Sequence, residues 1–154
     1  MRRAISSFAA LGAVLLMAIP AQADGATTFT QNFHNTTMTF GVVNPCTGVA
    51  GTVTETFNAV VHTTFLANGT GWGTFTMEGM FTLAQVNGVI YTGHVMGWDG
   101  FNFNLNNFTA TATFSLHATG SDGTTLSFRD VFHITVLAGP PPTVVVMFDK
   151  PSCG

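Results

Sequence analysis

From residue 27 to the C-terminal end, apolar and polar side chains alternate with a period of two in one run after another. The clearest run is 101–119. Phe101, Phe103 and Leu105 alternate with Asn102, Asn104 and Asn106, and Phe108, Ala110, Ala112, Phe114, Leu116 and Ala118 then alternate with Thr, Ser and His. Successive side chains on a strand point to opposite faces, so the pattern predicts a sheet with one apolar and one polar face. The alternation slips once, at Asn106-Asn107. A tight turn and a bulge both reset the face that follows.

Gly, Pro and Asn divide the remainder into further strands. The first covers 27–40 and admits a break at His34-Asn35, and Asn44-Pro45-Cys46-Thr47-Gly48 turns the chain. A strand over 49–66 follows. A three-residue loop Asn68-Gly69-Thr70 would set Phe65 opposite Gly73, Val61 opposite Met77 and Phe57 opposite Phe81, which keeps one face apolar. Strands are then predicted over 72–86, 89–96, 101–119, 124–137 and 143–150. The turns between them are Asn87-Gly88, Gly97-Trp98-Asp99-Gly100, Gly120-Ser121-Asp122-Gly123 and Ala138-Gly139-Pro140-Pro141-Pro142. In the last hairpin a five-residue loop would pair Val136 with Val144, Ile134 with Val146, Phe132 with Phe148, and Asp130 with Lys150. No stretch after the leader carries a helical period. The prediction is all-β, an antiparallel up-and-down meander of about seven or eight strands with no long helix. A closed barrel is favoured over a sandwich, because closure removes edges that so uncharged a sheet would expose.

The first residues carry a different signal. Arg2 and Arg3 precede an apolar run, and Ala21-Gln22-Ala23 matches a small-residue cleavage site. Residues 1–23 read as a secretory signal peptide, leaving 24–154 as a single β-barrel domain that is secreted, extracellular or in the cell envelope. All seven acidic residues follow that site, but of the four basic ones only Arg129 and Lys150 do. Two cations cannot form a phosphate-binding stripe, which argues against nucleic acid and against an anionic membrane surface. The chain holds fifteen Phe but only two Trp and one Tyr. That is poor in the interfacial residues of a membrane barrel, so Phe is expected inside and stable membrane insertion of the mature form is not.

Two cysteines in an exported chain suggest one disulfide, Cys46 to Cys153. The bridge makes a parity argument. Both cysteines must lie at one end of the sheet, which holds if 101–119 is one strand bulged at Asn106-Asn107 and fails if a hairpin there adds a full strand.

Candidate chemistry is thin. Of the five histidines, none stands at metal-ligand spacing from another, so no metal and no cofactor is expected. His62 would lie near Glu78, and His133 near Asp149, as surface hydrogen bonds. A two-residue turn at Asn87-Gly88 would put His94 opposite Phe81 and inside the barrel, where a polar group calls for a partner or a wet pocket, so His94 is the candidate ligand-binding residue. The alternative is a bulge that turns Tyr91 and Val95 inward and sends His94 to solvent. No nucleophile motif is present and no catalytic residue is assigned; Glu55, Glu78 and Asp99 could converge in space as paired carboxylates, but nothing in their spacing supports it.

The turn Asn44-Pro45-Cys46-Thr47-Gly48, the turn Gly120-Ser121-Asp122-Gly123 between alternating strands, and the terminal Asp149-Lys150-x-x-Cys153 together resemble a group of small secreted bacterial β-rich proteins of unknown function. That resemblance implies export and a β fold, and it brings no activity. The expectation is a non-catalytic binding module with an apolar interior, taking a small apolar ligand or other envelope components. The alternative is a structural surface protein of the envelope, with an enzyme lacking a recognisable motif in third place.

Overall fold

The computed structural model describes residues 25–154; the leader, its cleavage site and residue 24 lie outside the described residues. Eight strands follow one another: β1 Thr27–Val43, β2 Ala50–Phe65, β3 Gly71–Gln85, β4 Ile90–Phe103, β5 Asn107–Gly120, β6 Thr125–Leu137, β7 Thr143–Asp149 and β8 Ser152–Cys153. They form one antiparallel sheet in chain order from β1 to β7, with β8 on β6, and no helix occurs among the described residues. The alternation sets its two faces. Phe57, Ala59, Phe81, Leu83, Tyr91, Val95, Ala118 and Leu126 are buried on the inner face. Thr and Asn dominate the outer one.

The sheet is not closed. After Asp149 the chain does not cross to β1. β7 covers the lower part of β6, from Phe132 to Leu137, and β8 covers Phe128 and Arg129 on the same edge. The last strand is thus used on β6 itself, and β1 and β7 remain as unpaired edges. The expected barrel is therefore replaced by an open sheet. A covalent strap links the two sides at one end: Cys46, in the β1–β2 loop, is bonded to Cys153 on β8, with Cα atoms 5.7 Å apart. The Cys46 Sγ also lies 3.7 Å from the Ser127 carbonyl oxygen of β6. The first hairpin therefore meets the sixth strand, so the sheet curls round at this end. Here Asn44 is fully buried, and its Oδ1 accepts from the Cys46 and Thr47 amides at 2.9 and 3.3 Å.

The turns differ from the sequence reading in instructive ways. Residues 97–100 do not turn. β4 runs straight through them, with Gly97, Asp99 and Phe101 inward and Trp98 and Gly100 outward. The hairpin lies at Asn104–Asn107 instead, where the Asn104 Oδ1 accepts from the Asn106 and Asn107 amides at 2.7 and 3.0 Å. The bulged single strand is thus wrong, and a hairpin between full-length strands coexists with the bridge. One turn was exchanged for another, so strand parity survived and both cysteines still share an end.

Between β2 and β3 the loop is Ala67-Asn68-Gly69, closed by the Leu66 amide on the Thr70 carbonyl, with Gly69 at φ 79°. The register moves by two from the expected one, Phe57 facing Gly79 and Val61 facing Phe75, and the faces are kept. Between β3 and β4 the loop has three residues, Val86-Asn87-Gly88, with Gly88 at φ 89°. That single residue shifts the register by one and exchanges the faces of β4 relative to those a two-residue turn would give. In the last hairpin Val136 meets Val144 as expected, but a bulge follows and Ile134 meets Met147, and Phe132 meets Asp149. The Asp130–Lys150 pair is not formed. Lys150 Nζ sits 5.4 Å from the Phe148 ring centroid, and Phe148 is turned to the outer face, 39% exposed. At His34-Asn35 the sheet does break register, with Asn35 at φ 48°.

Candidate functional site

On the outer face, cross-strand neighbours fall into rows. One row runs Asn58, Glu78, Met96, Ser115, Arg129 from β2 to β6. The next runs Val60, Thr76, Trp98, Thr113, Val131. Both depressions described on the surface lie along these rows. One, of about 220 Å³, is lined by Asn58, Val60, Thr76 and Glu78, with His34 and the apolar Phe33, Ala59 and Met77; the other, of about 400 Å³, by Met96, Trp98, Thr113, Ser115 and Arg129, with Gly97 and Phe114. β3 bounds the first and its neighbour β4 the second, so they lie end to end as a trough perpendicular to the strands. At about 4.8 Å per strand, from β1 to β6 it spans roughly 24 Å.

Trp98 is its centre. The indole lies down along β4 over Gly100, where a Cβ would come 2.9 Å from its ring edge. Trp98 is 43% exposed, although burying it would gain far more. Hydroxyls surround it. On β1 and β2 the threonines hydrogen-bond one another, Thr37 to Thr56 at 2.9 Å and Thr28 to Thr64 at 3.0 Å. Thr76, Thr113 and Ser115 in the trough have no such partner among the described residues. Glu78 and Arg129 stand on opposite sides of β4 without an ion pair there.

The histidines separate into two kinds. His62 is held by the Thr30 hydroxyl at 2.9 Å and faces Thr74 rather than Glu78. His133 is bonded to Thr111 at 2.7 Å and stacked on Phe148. His94 stands exposed on the outer face between Met80 and His117, one row from the trough; of the two orientations open to it, Tyr91 and Val95 take the inner face and His94 the outer, so it lines no interior pocket. The three-residue β3–β4 loop is the reason.

The inner face holds carboxylates instead. Glu55 sits between Met38 and Phe81, its Oε1 unpartnered, and burial pushes its carboxyl above the ordinary range. Burial raises Asp99, between Phe75 and Ala112, in the same way. Asp130 is raised by burial and by the hydrogen bond and charge of Asp149. Glu55 and Asp99 do not converge. Their β3 neighbours, Phe81 and Phe75, are six residues apart, roughly 20 Å along a strand. Glu78 is on the opposite face. Among the described residues no three His, Cys, Asp or Glu side chains gather as a metal site. Sequence reasoning missed both the trough and the Asp130–Asp149 pair. The outward parity of Trp98 would have signalled the first, had 97–100 been read as strand.

Comparison with protein families, with characterised proteins and with solved structures finds no match to this chain.

Proposed function

We propose that the chain is an exported, non-catalytic binding module, and that its ligand is an extended, uncharged, hydroxyl-rich polymer such as an envelope or extracellular glycan. The reading rests on one observation, the Trp98 ring laid flat and half-open in a cross-strand trough of unpartnered hydroxyls. Sugar rings present an apolar face and a rim of hydroxyls. An exposed indole matches the first, and Thr76, Thr113 and Ser115 match the second. The Cys46–Cys153 bridge supports an oxidising compartment and hence secretion. Two basic side chains in 24–154 speak against nucleic acid as a partner.

The test is intrinsic fluorescence of the Trp72→Phe variant, in which Trp98 is the only remaining Trp, during titration with soluble oligosaccharides and cosedimentation with insoluble polysaccharides. Saturable quenching of Trp98 is expected, and Trp98→Ala should abolish cosedimentation with the polysaccharide that the wild type binds. No retention of the wild type on any polysaccharide, or equal retention of Trp98→Ala, overturns the reading.

A second reading, a small apolar ligand held inside, is favoured by the half-covered inner face at the wide end, where Phe29, Phe65 and Phe103 form a chain of rings 6.2 and 5.9 Å apart. It needs β1 and β7 to approach and close the barrel. Native mass spectrometry of the purified chain decides it through the presence or absence of a bound small molecule.

A further inference from the structure

We propose that His94, His117 and Met80 form a copper site on the outer face. The three are consecutive in one cross-strand row, Met80 on β3 opposite His94 on β4, and His94 opposite His117 on β5. Facing residues in a ladder have Cβ atoms about 4.5 to 5.5 Å apart. Two imidazoles so placed can share one metal ion at the usual bond of about 2.0 to 2.1 Å.

The facing pair is what sets these two apart. The rings of His62 and His133 are occupied by Thr30, Thr111 and Thr135, and His34, although exposed, is paired with no second imidazole in the ladder. His94 and His117 are exposed, and neither ring has a hydrogen-bond partner among the described residues. Met80, 46% exposed, and Met96, 58% exposed, stand beside them on a face otherwise rich in Thr. Both thioethers are on the face opposite the buried core, open to solvent.

Donor chemistry selects the metal. Two imidazoles alone would suit zinc, nickel or copper alike. A zinc or hard-cation site would need a further imidazole, thiolate or carboxylate, and no group of three such side chains exists among the described residues. The donor the row does supply is the soft Met80 sulfur, with Met96 two residues from His94 along β4. Imidazole with thioether is a donor set for copper, and the thioether favours its reduced state. No free thiol competes, since Cys46 and Cys153 are bonded to each other.

The test uses the untagged mature chain with its disulfide intact. Cu(I) affinity is read by competition with a chromophoric chelator, and Cu(II) by calorimetry and electron paramagnetic resonance. One copper per chain is expected. His94→Ala and His117→Ala should each weaken binding of both oxidation states by at least about tenfold. Met80→Leu should weaken Cu(I) by about tenfold and leave Cu(II) within about twofold. His62→Ala should change neither. All four side chains are on the outer face, and unchanged thermal unfolding of each variant confirms that the fold is kept. Absence of copper binding by the wild type, equal binding by His94→Ala or His117→Ala, or Cu(I) binding indifferent to Met80→Leu each overturns the assignment.

Discussion

Because the hydrogen-bond ladder never closes, the Cys46–Cys153 bridge carries the closure of the fold, and its removal should be felt throughout. The two cysteines are 107 residues apart and join the β1–β2 loop to the short strand on the edge of β6. In the chain-entropy account, a cross-link over so long a loop removes about 4.7 kcal/mol of freedom from the unfolded chain at 25 °C. A domain of this size has a total stability of roughly 5 to 15 kcal/mol. The double substitution Cys46→Ser, Cys153→Ser should therefore cost about 3 to 5 kcal/mol and leave a marginally folded chain. β8 should suffer first. It has only two ladder pairs on β6, and the Gly154 amide on the Ser127 carbonyl at 3.1 Å adds one more bond. Urea unfolding of the oxidised chain and of the variant gives the stability difference. The slope should be steeper for the variant, since its unfolded state is no longer held compact. In the variant, hydrogen exchange at residues 153 and 154 should rise well before that of β3 and β4. A loss under about 1 kcal/mol with an unchanged slope would refute the claim that the bridge does the work the missing β1–β7 ladder does not.

Two more predictions concern the inner face. The raised Glu55, Asp99 and Asp130 bind protons more tightly folded than unfolded, so their contribution to stability is fullest at pH below the ordinary carboxylate range. It declines as pH rises from that range towards their elevated folded values and is level above them; Glu55→Leu should be more stable than wild type at pH 7 by about 1 to 3 kcal/mol, with a smaller gap near pH 4. A gap independent of pH across urea titrations would rule out the buried carboxylate as its source. At Gly93 a Cβ would meet the His117 carbonyl oxygen and lie 2.5 Å from the Ala118 Cα, both backbone, so Gly93→Ala should lower stability by about 1 to 3 kcal/mol in urea. Gly41, whose Cβ would meet nothing within 4 Å, is the control, and Gly41→Ala should leave stability unchanged or slightly higher; equal losses at both would contradict the close approach of β4 and β5.

Two-residue alternation was enough, with no structure in hand, to determine the class of fold, the order of strands and which residues of β2, β3, β5 and β6 face inward. Side-chain direction on a strand is a local property, so Phe57, Phe81, Leu116 and Leu126 carry their orientation in their own neighbourhood. The bridge was legible because a chain with two cysteines offers each only one partner. Register was not legible, because it depends on single residues in the loops. One extra residue, Val86 in the β3–β4 loop, sends His94 outward and brings it beside His117, and one bulge after Val144 sets Asp149 rather than Phe148 on the inner side. Closure was beyond sequence altogether. Whether the last strand reaches β1 or doubles along β6 is decided by the curl of the whole sheet and by where the bridge holds residue 153. The trough around Trp98 is likewise a tertiary product. Trp98, Ser115 and Arg129 are distant in the chain, and only the pairing of β4, β5 and β6 places them in adjacent rows on one face.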